Sequence, residues 1–148
     1  MNSLKINQSS PEKEFILCKN VSGATLSAGA AAYFDTATAT DGFAISGART
    51  GQKFLFAGIN EKSLTTGSKG MIQTYGIASA YVLVTTSMAA GDQLDAVTSQ
   101  TYLANFIPVS ATSLVPTVAN PWNFVATMSA VASGISSAVL KPVFIRAR

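Results

Sequence analysis

Few side chains in this sequence can do chemistry, and their spacing turns most of them away from it. The chain has 148 residues and no histidine, which removes Ser-His-Asp and Cys-His nucleophile arrangements along with every imidazole base or metal ligand. Two carboxylate pairs remain, Asp92 with Asp95 and Glu12 with Glu14, and paired carboxylates can divide general-acid and general-base work. On a strand, however, residues three apart point to opposite faces, and Asp92 directly after Gly91 reads as a turn residue. Ser68 and Lys69 are adjacent, so an extended chain points them apart. The Gly-Ser-Lys-Gly run at 67–70 lacks the spacing of a phosphate loop and opens no helix. The single cysteine, Cys18, can complete neither an intramolecular disulfide nor a cysteine zinc site; inside an apolar run it reads as a small core residue. No catalytic residue, metal or cofactor is expected, and the chain is not expected to be an enzyme.

The elements that would carry these residues are strands and turns. The organising stretch is 58–94. Within it Ile72, Ala78, Ala80, Val82 and Val84 share one parity, while Met71, Gln73, Tyr75, Ile77, Ser79, Tyr81 and Leu83 share the other, which predicts a sheet with one apolar and one mixed face. Gly76 interrupts this run, where a missing Cβ suggests a bulge, a bend or a close backbone approach, so the run is two strands or one bent strand. Three turns share one form: Leu26-Ser27-Ala28-Gly29, Leu64-Thr65-Thr66-Gly67 and Met88-Ala89-Ala90-Gly91. Each sets an apolar plug three residues before a glycine free to take positive φ, a way to turn a chain at a sheet rim. Their unequal spacing argues against a solenoid and for one barrel or sandwich with similar corners.

Further strands are expected at 15–21, at 31–34 closed by Asp35, at 52–59 with Phe54, Leu55 or Phe56 entering the core, and in a short piece from Asp92 to Val97. The prolines at 108, 116 and 121 make 98–121 extended or looping. After it, 122–145 reads as a hairpin turning near Gly134, with a helix over 122–131 as the rival. Pro142, which cannot donate to a ladder, confines the closing strand to an edge or a bulge.

Only 11% of residues are charged, against roughly 25% in an ordinary domain, which points to a surface that meets other protein. The 10 basic and 7 acidic residues are scattered without a block that would wrap phosphates, so no nucleic-acid partner is expected. Apolar runs fall short of the roughly 18 residues of a membrane span and the first residues start no signal peptide, so neither a membrane partner nor export is expected. A chain of this length forms a core without staples. The expected division is an extended N-terminal arm at 1–13 and a single β domain at 14–148. In the arm, Leu4 and Ile6 stand two apart around Lys5, so an extended segment would show both apolar side chains to one neighbour. The chain ends on a basic tail with Arg146 and Arg148.

The order of motifs carries a resemblance. Asn20-Val21-Ser22-Gly23-Ala24-Thr25-Leu26-Ser27-Ala28-Gly29, then Phe56-Ala57-Gly58-Ile59, then the glycines at 70 and 76 around Gln73, then Ala90-Gly91-Asp92-Gln93-Leu94 resemble the capsid decoration proteins of tailed phages, also called cement or head-stabilisation proteins. The likeness covers about 15–97 and the closing strand after Ser133, and 98–132 departs from it. It implies a β-barrel or sandwich, usually trimeric, made in the host cytoplasm. Such a protein sits on the outer surface of the virion and grips the major capsid protein with its arms. Leu4, Lys5 and Ile6 would then form the capsid-binding arm, Arg146 and Arg148 a second contact, and Tyr75, Tyr81, Trp122 and Phe124 the homotrimer interface. Two other classes fit the composition: a phage tail or baseplate structural protein, and a glycan-binding β-sandwich with Trp122, Tyr75 or Tyr81 as stacking platforms.

Overall fold

The computed structural model describes residues 12–37, 43–47, 55–84, 87–97, 100–105, 126–128 and 137–147. Leu4, Lys5, Ile6, Trp122, Phe124 and Arg148, with most of 98–132, lie outside the described residues. Those described form an all-β fold of nine strands: β1 (Glu14–Asn20), β2 (Ala31–Phe34), β3 (Ala44–Ser46), β4 (Phe56–Asn60), β5 (Lys69–Leu83), β6 (Gln93–Ala96), β7 (Leu103–Asn105), β8 (Ala126–Met128) and β9 (Val139–Arg146).

The 15-residue β5 is shared by two small barrels. Sheet order runs β1-β3-β2-β4-β5-β7-β6-β8-β9, and β5 pairs in addition with both β1 and β9. The first pairing closes a ring of β1, β3, β2, β4 and β5, and the second closes a ring of β5, β7, β6, β8 and β9. The two rings have the same topology, displaced by four strands. In each, the first strand runs parallel to the third (β1 with β3, β5 with β7) and every other pairing is antiparallel. Even turn bonds repeat. Gly29 N donates to Asn60 O at 2.8 Å and Asn60 N to Ala30 O at 2.9 Å; in the second ring Gly91 N donates to Met128 O at 2.8 Å and Met128 N to Asp92 O at 2.9 Å. The expected barrel is present, but the turns it was read from belong to two barrels.

Each ring has its own core. Cys18, Leu26, Ala32, Ile45, Ala57, Leu64 and Ile72 fill the first, while Ala78, Ala80, Val82, Val84, Leu94, Leu103, Val143 and Ile145 lead the second. Strands β2 and β4 lie between the two, sending Ala32 and Ala57 one way and Ala31, Tyr33, Phe56 and Ile59 the other. That is why every residue of β4 is buried. Burial of a Leu, Ile or Val side chain contributes about 1.5–3 kcal/mol, so the two-sided burial of β2 and β4 ties the barrels together. Tyr33 adds a polar tie: its hydroxyl donates to Val97 O at 3.3 Å. Burial, and then the nearby Asp95 carboxylate, push the phenol pKa well above its ordinary value.

The plug-and-glycine turns form as the spacing predicts. Leu26, Leu64 and Met88 are buried, and Gly29, Gly67 and Gly91 have φ of 82°, 82° and 92°. Two buried asparagines clip the turns from below. Asn20 Nδ2 donates to Ala24 O and Leu64 O, both at 2.8 Å, and Asn60 Nδ2 donates to Leu26 O at 3.0 Å and Ser27 O at 3.3 Å.

Two expectations change. Strand β9 is no edge, because β5 pairs along one side of it and β8 along the other. Pro142 is tolerated there since it lies one residue beyond the last β8 partner, Val143, and opposite Ser79 of β5. Two residues on, Tyr81 N donates to Gly29 O at 2.9 Å and not to β9, so this parity of the β5–β9 ladder needs no donor from Pro142. The helix considered for 122–131 is replaced at Ala126–Met128 by a strand paired to β6 and β9.

Candidate interaction surface

The outward side of β5, flanked by β1 and β9, gathers the apolar side chains that neither barrel takes. Once Ile72, Ala78, Ala80 and Val82 face inward, the opposite parity faces out, except at Gln73, which is buried. Register then sets the neighbours: Leu17 lies across from Met71 and Lys19 from Lys69, while Tyr75, Ile77 and Tyr81 lie across from Arg146, Phe144 and Leu140. Leu17, Met71, Ile77 and Leu140 are 52%, 45%, 40% and 51% exposed; Phe43 is the one other large hydrophobic so exposed among the described residues. Two apolar pairs, Leu17 with Met71 and Ile77 with Leu140, therefore stand exposed on one sheet face, more than the scattered single residues of an ordinary exterior.

Aromatic packing fixes the middle of this surface. Tyr75 and Phe144 meet edge to face, with centroids 5.1 Å apart and planes at 79°. Gly29 lies beneath Leu140 and Tyr81, where a Cβ would overlap the Leu140 side chain and stand 3.6 Å from the Tyr81 ring. Both tyrosines are half-buried in the chain itself.

Charge divides the surface. At one end the ladder sets exposed Lys19 directly opposite exposed Lys69, and like charges so placed across strands are destabilising. Such a pair is accommodated best beside an acidic partner. The other end, with Ile77, Leu140, Pro142 and Tyr81, is apolar, with exposed Lys13 and Glu61 at its margin beside Leu140, and exposed Arg146 lies across from Tyr75 between the two.

Tyr75, Tyr81 and Arg146 therefore share one face. Trp122, Phe124, Arg148 and the arm residues lie outside the described residues. Leu17, Met71, Ile77 and Leu140 were not singled out from sequence, although apolar residues on both parities of one strand already imply a second surface to cover. The carboxylates considered for chemistry are separated by environment. Asp92 Oδ2 accepts from Ala89 N at 2.8 Å in an exposed turn, whereas Asp95 is buried beside Tyr33. Cys18 is buried in the first core.

No protein-family model matches the chain, and no curated protein matches it. Among solved structures the fold is similar to the crystal structure of the head fiber gp8.5 N base in bacteriophage phi29, with a TM-score of 0.55 over 90% of this chain and 94% of that one, at 11% sequence identity. At that identity the likeness is one of fold.

Proposed function

We propose that the chain is a structural protein of a phage virion that sits on the outer surface of the head as a homotrimer, binds the major capsid protein and stabilises the shell. The observation that carries the reading is the apolar face of β1, β5 and β9, with Leu17, Met71, Ile77 and Leu140 exposed together. The fold shared with a phage head fiber base supports the same setting. A protein of this kind works by mass action: it binds the assembled shell and not free subunits, and weak contacts repeated over a lattice add through multivalency.

The division of charge suggests two roles for the surface. The apolar end around Ile77, Tyr81 and Leu140 suits the centre of a contact between subunits, with exposed Lys13 and Glu61 beside Leu140 at its polar rim. The Lys19–Lys69 end suits an acidic patch on the shell. Leu4, Lys5 and Ile6 of the arm, with Arg146 and Arg148, would add further grips. Sedimentation and capsid-binding assays on two variants test this. Ile77→Asp with Leu140→Asp should convert a trimer to monomer, whereas Lys19→Glu with Lys69→Glu should leave the trimer intact and weaken decoration. A chain that is monomeric at micromolar concentration before any substitution would overturn the trimer, and full decoration by the lysine variant would overturn the assignment of that end.

A further inference from the structure

The repeat that builds the two barrels holds residue for residue, so each barrel is a control for the other. Asn20 meets Ile45 where Val82 meets Leu103, Phe34 meets Ile45 where Ala96 meets Leu103, and Asn60 meets Ile72 where Met128 meets Val143. The seam of β1 with β5 is therefore the counterpart of the seam of β5 with β9. Lys19 and Lys69 stand where the second barrel has Tyr81 and Leu140, and Leu17 and Met71 stand where it has Ser79 and Pro142.

That comparison singles out the lysines. The fold does not call for them, because an uncharged pair holds the same place in the second barrel, and two like charges directly opposite cost stability. Both lysines are exposed, and neither has an ion pair among the described residues. Leu17 and Met71, one step along the same face, are exposed as well. Four side chains thus form a rectangle with one cationic row and one apolar row. Partners within a row are about 5 Å apart across the strands, and the rows are about 7 Å apart along them.

We propose that this quartet docks an extended segment of a partner protein in which an Asp or Glu stands two residues from an aliphatic side chain. One carboxylate set between two ammonium groups relieves their repulsion and gains two charge-assisted hydrogen bonds. On an extended chain, residues two apart share a face and are about 7 Å from each other, the same step that separates the two rows, whereas adjacent residues point apart. Such a segment lays its acid on Lys19 and Lys69 and its aliphatic side chain on Leu17 and Met71. A nucleic-acid backbone would satisfy the cationic row and leave the apolar row bare. The inference rests on the assignment of this end to the shell and narrows that contact to one kind of segment.

The test is a nuclear magnetic resonance titration of the full chain with the blocked pentapeptide Thr-Leu-Thr-Glu-Thr. Three comparators run in parallel: the same peptide with Gln for Glu, the peptide Thr-Thr-Leu-Glu-Thr that makes the two anchors adjacent, and a single-stranded oligonucleotide of mixed sequence. Saturable shifts are expected at Leu17, Lys19, Lys69 and Met71, several-fold stronger with the first peptide than with any comparator, while Ser79, Tyr81 and Leu140 at the matching places of the second barrel stay unmoved. Lys19→Gln with Lys69→Gln changes two exposed residues and removes a repulsion, so it should keep the parent Tm and lose the preference for Glu over Gln. The proposal is overturned if the first peptide shifts none of the four residues, if the Gln or adjacent-anchor peptide binds as tightly, if the oligonucleotide binds the same residues more tightly, or if the double variant keeps the preference. Its failure is distinct from failure of the shell reading. A chain that binds the peptide and no capsid would sink that reading alone, and a chain that decorates capsids through its lysines but ignores the peptide would sink this inference alone.

Discussion

Replacing Gly76 by alanine tests how the chain enters the first barrel. Gly76 has φ of 95°, and a Cβ built there would overlap the carbonyl oxygen of Glu12 and stand 3.3 Å from Lys13 Cα. Two costs add. A left-handed conformation costs an L residue about 1–2 kcal/mol, partly offset by the roughly 0.4–1 kcal/mol that alanine gains by restricting the unfolded chain. Forcing backbone apart to seat the methyl costs about 1–3 kcal/mol more, by analogy with overpacked cores. Gly91 is the control, since its φ is 92° but a Cβ there meets nothing within 4 Å. Thermal unfolding should lower Tm by about 0–6 °C for Gly91→Ala and about 2–18 °C for Gly76→Ala, taking roughly 2–4 °C per kcal/mol at this size. Deleting residues 1–13 removes the obstructing carbonyl, so in that background the two substitutions should cost the same. If Gly76→Ala costs no more than Gly91→Ala in the intact chain, or keeps its excess after the deletion, Glu12 does not pack on Gly76 as described.

Three further outcomes are expected. Because the folded phenol pKa of Tyr33 lies above the unfolded value of about 10, the folded state holds the proton more tightly; its contribution is therefore complete below pH ~10 and lost as pH rises beyond it. Urea unfolding of Tyr33→Phe should show a shallower alkaline loss than the parent, at a cost near neutral pH of about 0.5–1.5 kcal/mol for the missing bond; an unchanged alkaline slope would refute this. Ser46 Oγ is buried without a hydrogen-bond partner among the described residues, so Ser46→Ala should be neutral or raise Tm, and a loss above about 1 kcal/mol would mean the hydroxyl has a role. Deleting residues 1–11 should leave the Tm and oligomer of the free protein unchanged while lowering occupancy on capsids, and undiminished occupancy would remove the arm from the proposed contacts.

The local features were legible because they are set by neighbours in sequence. The parity of Ile72, Ala78, Ala80, Val82 and Val84 fixes which side of β5 is buried, and the apolar plug before Gly29, Gly67 and Gly91 fixes three corners. The closure of two rings was not legible, since it depends on β5 pairing with β1 in its first half and β9 in its second. Nor was the two-sided burial of β4, because short apolar strands read alike whether one face is covered or both. Gln73 looked like an outward polar residue of a mixed face; it is buried because the ladder gap at Tyr75 and Ile77 needs its two donors. The outward apolar residues were visible as the second parity of β5, but their union into one surface required the register with β1 and β9.

The most direct test of the central claim is a cryo-electron microscopy map of the phage particle proposed to carry this chain, at a resolution that separates strands. The account predicts three copies of the two-barrel body around a three-fold contact on the outer head surface, with Ile77 and Leu140 buried between copies and the Lys19–Lys69 end against the capsid protein. A body found elsewhere on the particle, or one on the head whose β1–β5–β9 face is turned to solvent, would contradict it.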